Sequence, residues 1–336
     1  MNGEPLLAVS GLGVHFRMGR QEVQATRDVA FSIQPGERVG IVGESGCGKT
    51  VTGLALLGLL PAATSRVEGS AMFEGQNIIG LAPRALRRVR GRKIGMIFQE
   101  PMSALDPVFT IGQQIGETIR VHFGATREDA RTRAVAALAS VGISSPERVH
   151  DSYPHQLSGG MRQRAMIAIA LVCEPRLLIA DEPTTALDVT IQAQIIDLLL
   201  DLSSRTGTAL LFISHDLGVI AETCTRMITM YAGQVVEDAP VDFALVRPRH
   251  PYTSGLLRSL PRLSPRGAAL PSISGRVPSL RDMPAGCRFA ARCAHAQPGC
   301  DAPQIMASAA PDHLVRCARH ADLDLPGALT ELEKVA

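Results

Sequence analysis

The stretch Gly43-Glu44-Ser45-Gly46-Cys47-Gly48-Lys49-Thr50 follows the apolar run Arg38-Val39-Gly40-Ile41-Val42 and opens a stretch, Thr50 to Leu60, that is apolar nearly all round and stops at Pro61. Its spacing, G-x-x-x-x-G-K-[ST], is that of a phosphate-binding loop set between a strand and a helix. Glycines let backbone N–H groups curl around phosphate oxygens where a Cβ would block the approach. Lys49 brings a point charge to the β and γ phosphates, and the Thr50 hydroxyl can hold Mg²⁺. The plainer reading, a glycine-rich turn met by chance, leaves the flanking strand and helix unexplained.

Working outward, three further short apolar runs read as buried strands: Ile94–Phe98, Leu177–Ala180 and Ala209–Ile213. Helical patterns fall between them at Thr126–Val141, at Met161–Cys173 (apolar at Met161, Ala165, Ile169 and Val172) and at Ile191–Leu202. Strands alternating with helices predict an α/β fold, a largely parallel sheet covered on both faces. The chain has 336 residues, 46% hydrophobic and 20% charged, enough to bury a core. Lys plus Arg is 34 against 32 Asp plus Glu, and aromatics are 4% with no Trp. That balance argues against a nucleic-acid surface built on charge or on base stacking. The longest uncharged run, Thr50 to Ser65, is too short to span a bilayer, and the first ten residues lack the pattern of a signal peptide. A cytoplasmic chain is expected, with its seven cysteines as thiols, metal ligands or cluster ligands rather than disulfides.

Two more motifs carry chemistry. Leu177-Leu-Ile-Ala-Asp181-Glu182 ends an apolar strand in two carboxylates, and strand ends of this kind face the ligand crevice of a parallel sheet. Asp181 suits a Mg²⁺ shell and Glu182 a base for the attacking water; alone, the pair would read as surface acids. Leu157-Ser158-Gly159-Gly160-Met161 places an N-cap serine and two glycines at a helix start, an arrangement suited to anions. An ordinary helix start or linker is the plain alternative. The basic run Arg84, Arg87, Arg88, Arg90, Arg92 and Lys93 reads first as a solvated face, with anionic lipid headgroups as the other reading.

The composition changes near residue 260. Nine of the 22 prolines and four of the seven cysteines fall in 261–336. The cysteine spacing there, C-x5-C-x6-C-x16-C over Cys287, Cys293, Cys300 and Cys317, is neither that of a zinc finger nor that of a common ferredoxin. His295, His313 and His320 are further candidate ligands. A small proline-rich segment gains stability from a bound metal or cluster. An iron–sulfur cluster, zinc and free thiols all remain open on spacing alone.

Together these residues closely resemble the ATP-binding subunit of ABC transporters, over about residues 5–336. The resemblance implies a RecA-like nucleotide-binding domain at 1–260 with a β-subdomain near the N-terminus and a helical subdomain at about 100–175, then a small Cys/Pro-rich C-terminal domain at 261–336. Gly43–Thr50 looks like the family's Walker A loop and Asp181-Glu182 like its Walker B pair. Gln99 looks like the glutamine that contacts Mg²⁺ and senses the membrane subunit. Leu157–Met161 looks like the signature that meets ATP bound on a partner. Asp188, in Ala186-Leu-Asp188, resembles the D-loop, and His215 the histidine that contacts the γ phosphate. Phe16 lies where the family sets an aromatic under adenine, although a core Phe would read the same. Surface, capping and structural roles are the bland alternatives for Gln99, Asp188 and His215.

Within the family the segments Phe98-Gln-Glu-Pro-Met102, Tyr153-Pro-His-Gln-Leu-Ser158 and Arg249-His-Pro-Tyr-Thr253 resemble the dipeptide/oligopeptide importer branch, which also includes importers of nickel, glutathione and some antibiotics. The resemblance implies ATP hydrolysis with Mg²⁺ at the cytoplasmic face of the inner membrane. It also implies a second ATPase subunit, two membrane permease subunits and, indirectly, an extracytoplasmic peptide-binding protein. It implies a [4Fe–4S] cluster on the four tail cysteines, with zinc as the alternative. The rival class is a soluble ABC ATPase acting on nucleic acid or ribosomes. That class would normally bring a second cassette, a long coiled-coil insertion or a strongly basic arm, and none is seen.

Overall fold

A computed structural model describes residues 4–185, 187–260 and 272–328. Ala186 of the D-loop stretch, residues 261–271 at the expected domain boundary and residues 329–336 lie outside the described residues. The chain divides into two compact units. The first comprises 1–33, 38–80 and 213–336; the second comprises 34–37 and 81–212.

The first unit holds an antiparallel sheet, β1 (Leu7–Met18), β2 (Gln21–Ile33), β4 (Ser65–Phe73) and β5 (Gln76–Asn77), in the order β2-β1-β4-β5. A two-residue turn at Gly19-Arg20 joins β1 to β2, with Met18 opposite Gln21. This is the β-subdomain the resemblance implies. The same unit carries β3 (Arg38–Val42), β9 (Arg226–Tyr231), β10 (Gln234–Pro240), β11 (Ala307–Ala310) and β12 (His313–Val315), ordered β11-β12-β10-β9-β3. β3 runs parallel to β9, and Val39, Ile41 and Val42 are buried. At Gly40 a Cβ would sit 2.4 Å from Ile220, so glycine lets the helix Leu217–Thr223 lie directly on β3.

The tail after residue 271 is built onto this unit. β12 pairs antiparallel with β10, and β11 with β12. Phe289 packs with Tyr231 and Tyr252, ring centroids 5.1 and 5.4 Å away, in one buried aromatic cluster.

The second unit holds β6 (Ile94–Ile97), β7 (Leu177–Asp181) and most of β8 (Ala209–Ser214), in the order β8-β7-β6, with β6 parallel to β7. Helices Ile111–Phe123, Arg127–Ser140, Pro146–His150 and Gly159–Leu171 form the helical part; the first and third were not among the helices expected from the sequence. Thr110 and Gln113 make a capping box, Thr126 caps from Asp129 N–H, and Ser158 from Met161 N–H. Gly124 and Gly207 end helices Ile111–Phe123 and Val189–Thr206 in the left-handed region. Ala130, Ala134 and Leu138 give the helix Arg127–Ser140 its buried stripe.

Several helices differ from the sequence reading, and the expected helix Ile191–Leu202 extends to Val189–Thr206. The expected helix Thr50–Leu60 is Lys49–Leu56. Gly58 takes φ +59°, its N–H donates to Ala55 O, and Leu59 N–H donates to Leu54 O. That double bond pattern closes the helix before Pro61 is reached. In Gly159–Leu171 the buried positions are Gln163, Ala165–Ala168 and Ala170, whereas Met161, Ile169 and Val172 are half-buried. A helix enclosed on most sides has no single apolar stripe to read. The strand expected at Ile94–Phe98 ends one residue early, leaving Phe98 exposed. Among the described residues no helix is long and apolar enough to cross a membrane.

Candidate nucleotide site

In the first unit, β3 feeds the loop 43–48 and the helix from Lys49. Gly43 is obligatory: a Cβ would lie 2.2 Å from Met230 O. Gly46 and Gly48 take φ +78° and +97°, a backbone region L side chains rarely adopt. The turn Ala232-Gly233 between β9 and β10 supports the loop from below. Gly233 N–H donates to Cys47 O at 2.9 Å, and Arg27 N–H donates to Gly233 O at 2.8 Å. Lys49 is buried, and its Nζ donates to Gly43 O (2.8 Å) and Glu44 O (3.1 Å). The ammonium therefore lies folded over the loop, held by weak neutral acceptors that an incoming phosphate oxygen can replace. Cys47 is buried beneath, and burial pushes its thiol up, so it acts as a filler rather than a nucleophile. Ser45 and Gly46 are exposed at the crest, and Thr50 follows Lys49 on the first helical turn.

Two partners of this loop were not legible in the motif. Glu44 N–H donates to the hydroxyl of Tyr252, 2.8 Å away, and the Glu44 carboxylate pairs with Arg292. Tyr252 belongs to the Arg249–Thr253 segment singled out above, whose only sequence signal was its branch resemblance. Arg292 had none beyond its place in the tail. His215 follows β8 and is exposed; Asp216 beside it caps the helix Leu217–Thr223. Phe16 lies in β1, half-buried, opposite Val23 and Ser65.

In the second unit, Asp181 is the last residue of β7 and is buried. The chain then turns sharply: Glu182 has φ +45°, a strained region for a residue with a Cβ, of a kind that clusters at active sites. Its Oε2 accepts from Gln99 Nε2 and from the Thr185 hydroxyl, each at 2.9 Å. Gln99 and Glu182, 83 residues apart, are thus brought together. The Gln163 side chain donates to Pro183 O and pins the turn from the helix Gly159–Leu171. At the start of that helix Leu157 is buried, while Ser158 and Gly159 are exposed, with Gly160 and Met161 half-buried. A Cβ at Gly160 would meet Ile191 at 3.3 Å, so this helix end stays bare. Asp188 accepts from Ile191 N–H at 2.9 Å and caps the helix Val189–Thr206. The basic run is partly structural. Arg92 donates to Cys173 O at 2.9 Å and lies 4.5 Å from the Phe123 ring centre, while Leu86 and Val89 are buried.

All seven cysteines are free thiols. Cys287, Cys293, Cys300 and Cys317 line one small apolar recess with His250, Phe289 and His295. Cys287 N–H donates to Cys300 O at 2.8 Å, and burial raises the thiols of Cys287, Cys293 and Cys317. Among the described residues no three His, Cys, Asp or Glu side chains are gathered to hold a metal ion. His313 is turned elsewhere: its Nε2 is 2.7 Å from Glu237.

Comparison with known proteins gives two family matches: "ABC transporter" over residues 26–185, and "Oligopeptide/dipeptide transporter, C-terminal region" over residues 236–300. A probable peptide ABC transporter ATP-binding protein of Sinorhizobium fredii is 51% identical over 94% of this chain and 95% of its own length. A putative peptide import ATP-binding protein of Brucella melitensis is 49% identical over 95% and 98%. Among solved structures, a dimeric ATP-binding cassette in a post-hydrolysis state with ADP and Pi matches with TM-score 0.62. It is 28% identical and covers 70% of this chain and 98% of its own. A cassette from Clostridium perfringens, part of an ABC transporter complex, matches with TM-score 0.60 and 26% identity, covering 71% and 90%.

Proposed function

This chain belongs to the ABC transporter ATP-binding proteins, and from that membership we propose that it hydrolyses ATP to power the import of dipeptides or oligopeptides. The observation that carries the reading is Lys49, buried in a loop of glycine-made shape with its ammonium on the loop's own carbonyls. The triphosphate displaces those carbonyls, and Lys49 moves onto the β and γ oxygens. The residues that suit Mg²⁺ are hard oxygen donors, Thr50, Asp181 and Gln99, and the ion supplies neutralisation of the phosphate charge. Glu182 polarises the attacking water, and the Gln99 and Thr185 bonds hold its carboxylate in one orientation. His215 reads the γ phosphate. The bare helix end at Ser158, with Leu157 buried behind it and Gly159, Gly160 and Met161 on its first turn, faces ATP held by a second subunit. Asp188 fastens the helix beside that surface. Phe16 takes the adenine side.

The partners that follow are a second ATPase subunit and two membrane permease subunits, with a peptide-binding protein acting through them. The chain then lies peripherally on the cytoplasmic face of the inner membrane. The deciding experiment is Glu182→Gln in the assembled complex. Turnover should fall by roughly 10²–10⁴-fold, the usual contribution of a positioned base, while ATP still binds. Turnover at the wild-type rate would remove Glu182 from its role.

The tail recess is read as a [4Fe–4S] site on Cys287, Cys293, Cys300 and Cys317. Four cysteines around one apolar recess fit such a group. Zinc on the same thiolates is the alternative. When bound, the group cross-links the loop-rich tail.

A further inference from the structure

Glu44 is the second residue of the nucleotide loop, and it is held twice by residues that lie more than 200 positions later. Its N–H donates to the Tyr252 hydroxyl at 2.8 Å, and Tyr252 is wholly buried. Its carboxylate meets Arg292 through two parallel bonds, Nη1 to Oε2 at 2.6 Å and Nη2 to Oε1 at 3.0 Å. This is the bidentate fork that fixes geometry as well as charge. The fork is aimed before Glu44 reaches it. Arg292 Nε donates to Ser274 O at 2.9 Å, Nη2 also to Ile273 O at 3.2 Å, and Nη1 reaches the Tyr231 hydroxyl at 3.4 Å. The Arg292 side chain is 5% exposed and that of Glu44 31%, so water competes weakly for the guanidinium. Arg292 ends the 3-10 turn Ala290–Arg292, immediately before Cys293.

A carboxylate in a loop that receives a polyanion is a liability unless it is neutralised and turned away. Arg292 does both, and the loop's second backbone unit is fixed by Tyr252 at the same residue. We propose that Arg292 is a positioning residue for ATP, acting through Glu44, so that the cysteine-rich tail sets the affinity of the phosphate loop. The inference rests on the ATP-binding role assigned to that loop.

The test is a double-mutant cycle on the full-length chain, with a fluorescent ATP analogue as the titrant and thermal melting as the check on folding. Arg292→Gln should weaken ATP binding about ten-fold, the size of an ordinary coupling between sites. In a Glu44→Gln background the same change should alter affinity by less than about two-fold, because its partner is already gone. An Arg292→Gln protein that melts lower but binds ATP as tightly as wild type would overturn the proposal. So would an equal loss in both backgrounds. Should Arg292→Gln fail to fold, Arg292→Lys keeps the charge and loses the fork; it should weaken binding, and wild-type affinity in that variant would overturn the proposal. Failure of the underlying role looks different: wild type itself would not bind ATP, or Lys49→Ala would bind as well as wild type.

Discussion

Residues 43–50 and residues 272–328 keep their shapes by different means. The loop is shaped by the backbone: Gly43 packed against Met230 O, Gly46 and Gly48 at positive φ, and a hydrogen bond from the Gly233 turn. The tail has two short strands and a 3-10 turn, and its buried arginine side chains bond backbone carbonyls both within it and beyond it. Arg288 donates to Ala232 O, Arg292 to Ser274 O, and Arg316 to Val235 O at 2.9 Å and Gln304 O at 3.0 Å. Phe289 is its main apolar plug. A backbone-made loop can give up a side chain and keep its form, whereas a tail fastened by a few side chains cannot. Side-chain truncation in the loop, away from its glycines, should therefore cost binding and leave folding intact, while changes in the tail should cost stability first.

The largest effect is expected at Phe289. Phe289→Ala removes a buried ring from the Tyr231–Tyr252 cluster and should destabilise the protein by about 3–5 kcal/mol, read as a lower melting temperature and faster proteolysis after residue 271. A variant that melts like wild type would break the comparison. Acid should act through the same cluster. His250 is buried, caps the helix Pro251–Arg258 by accepting from Tyr252 N–H, and is pushed down to about 4, first by desolvation. Its folded value lies below its unfolded value of 6.5, so the unfolded chain takes up the proton first. The stability this group carries is complete above pH 6.5 and is lost as pH falls towards 4, by roughly 3 kcal/mol in all. His250→Asn should flatten that part of the melting-temperature profile; an unchanged slope would point to other groups.

Lys49→Ala sharpens the other side of the comparison. ATP affinity should fall about a hundred-fold, the worth of a charge-assisted contact of about 2.7 kcal/mol, with thermal melting barely moved. Tight binding without Lys49 would mean that the backbone alone grips the phosphates. The smallest effect on the nucleotide is expected from Cys300→Ser. Iron in anaerobically purified protein should drop from about four per chain, the content of one Cys₄ cluster, while ATP affinity changes by less than about two-fold. Zinc at one per chain, or no metal, would replace the cluster reading.

How far the sequence could be read follows the same division. Gly43–Thr50 announced its loop because backbone geometry restricts the residue types, and Thr126, Ser158 and Asp188 stand at the starts of helices because orphan N–H groups need an acceptor, whereas the helix Ile111–Phe123 behind Thr110 went unread. The early stop at Gly58 was legible in principle and was masked by the stronger stop signal of Pro61. The buried face of Gly159–Leu171 was not legible, since alanines and Gln163 fill it as well as larger apolar residues would. Gln99 and Glu182 were each singled out by family order, and the bond between them had no signal in the sequence. Arg292 on Glu44 followed from nothing local, because a bond across 248 positions leaves no periodic trace.

The pairing of β12 with β10 also sets a timetable for synthesis. Glu237 and Asp238 present a strand edge whose partners are Val315 and Leu314. A ribosome adding residues at about 5–20 per second needs roughly 4–15 s to travel from one to the other. Throughout that interval β10 is an open edge, the feature most prone to pair with a neighbouring chain. The segment that reaches the phosphate loop through Arg292 is thus also the last guard to arrive, and a nascent chain stalled before residue 313 would display a template for its own aggregation.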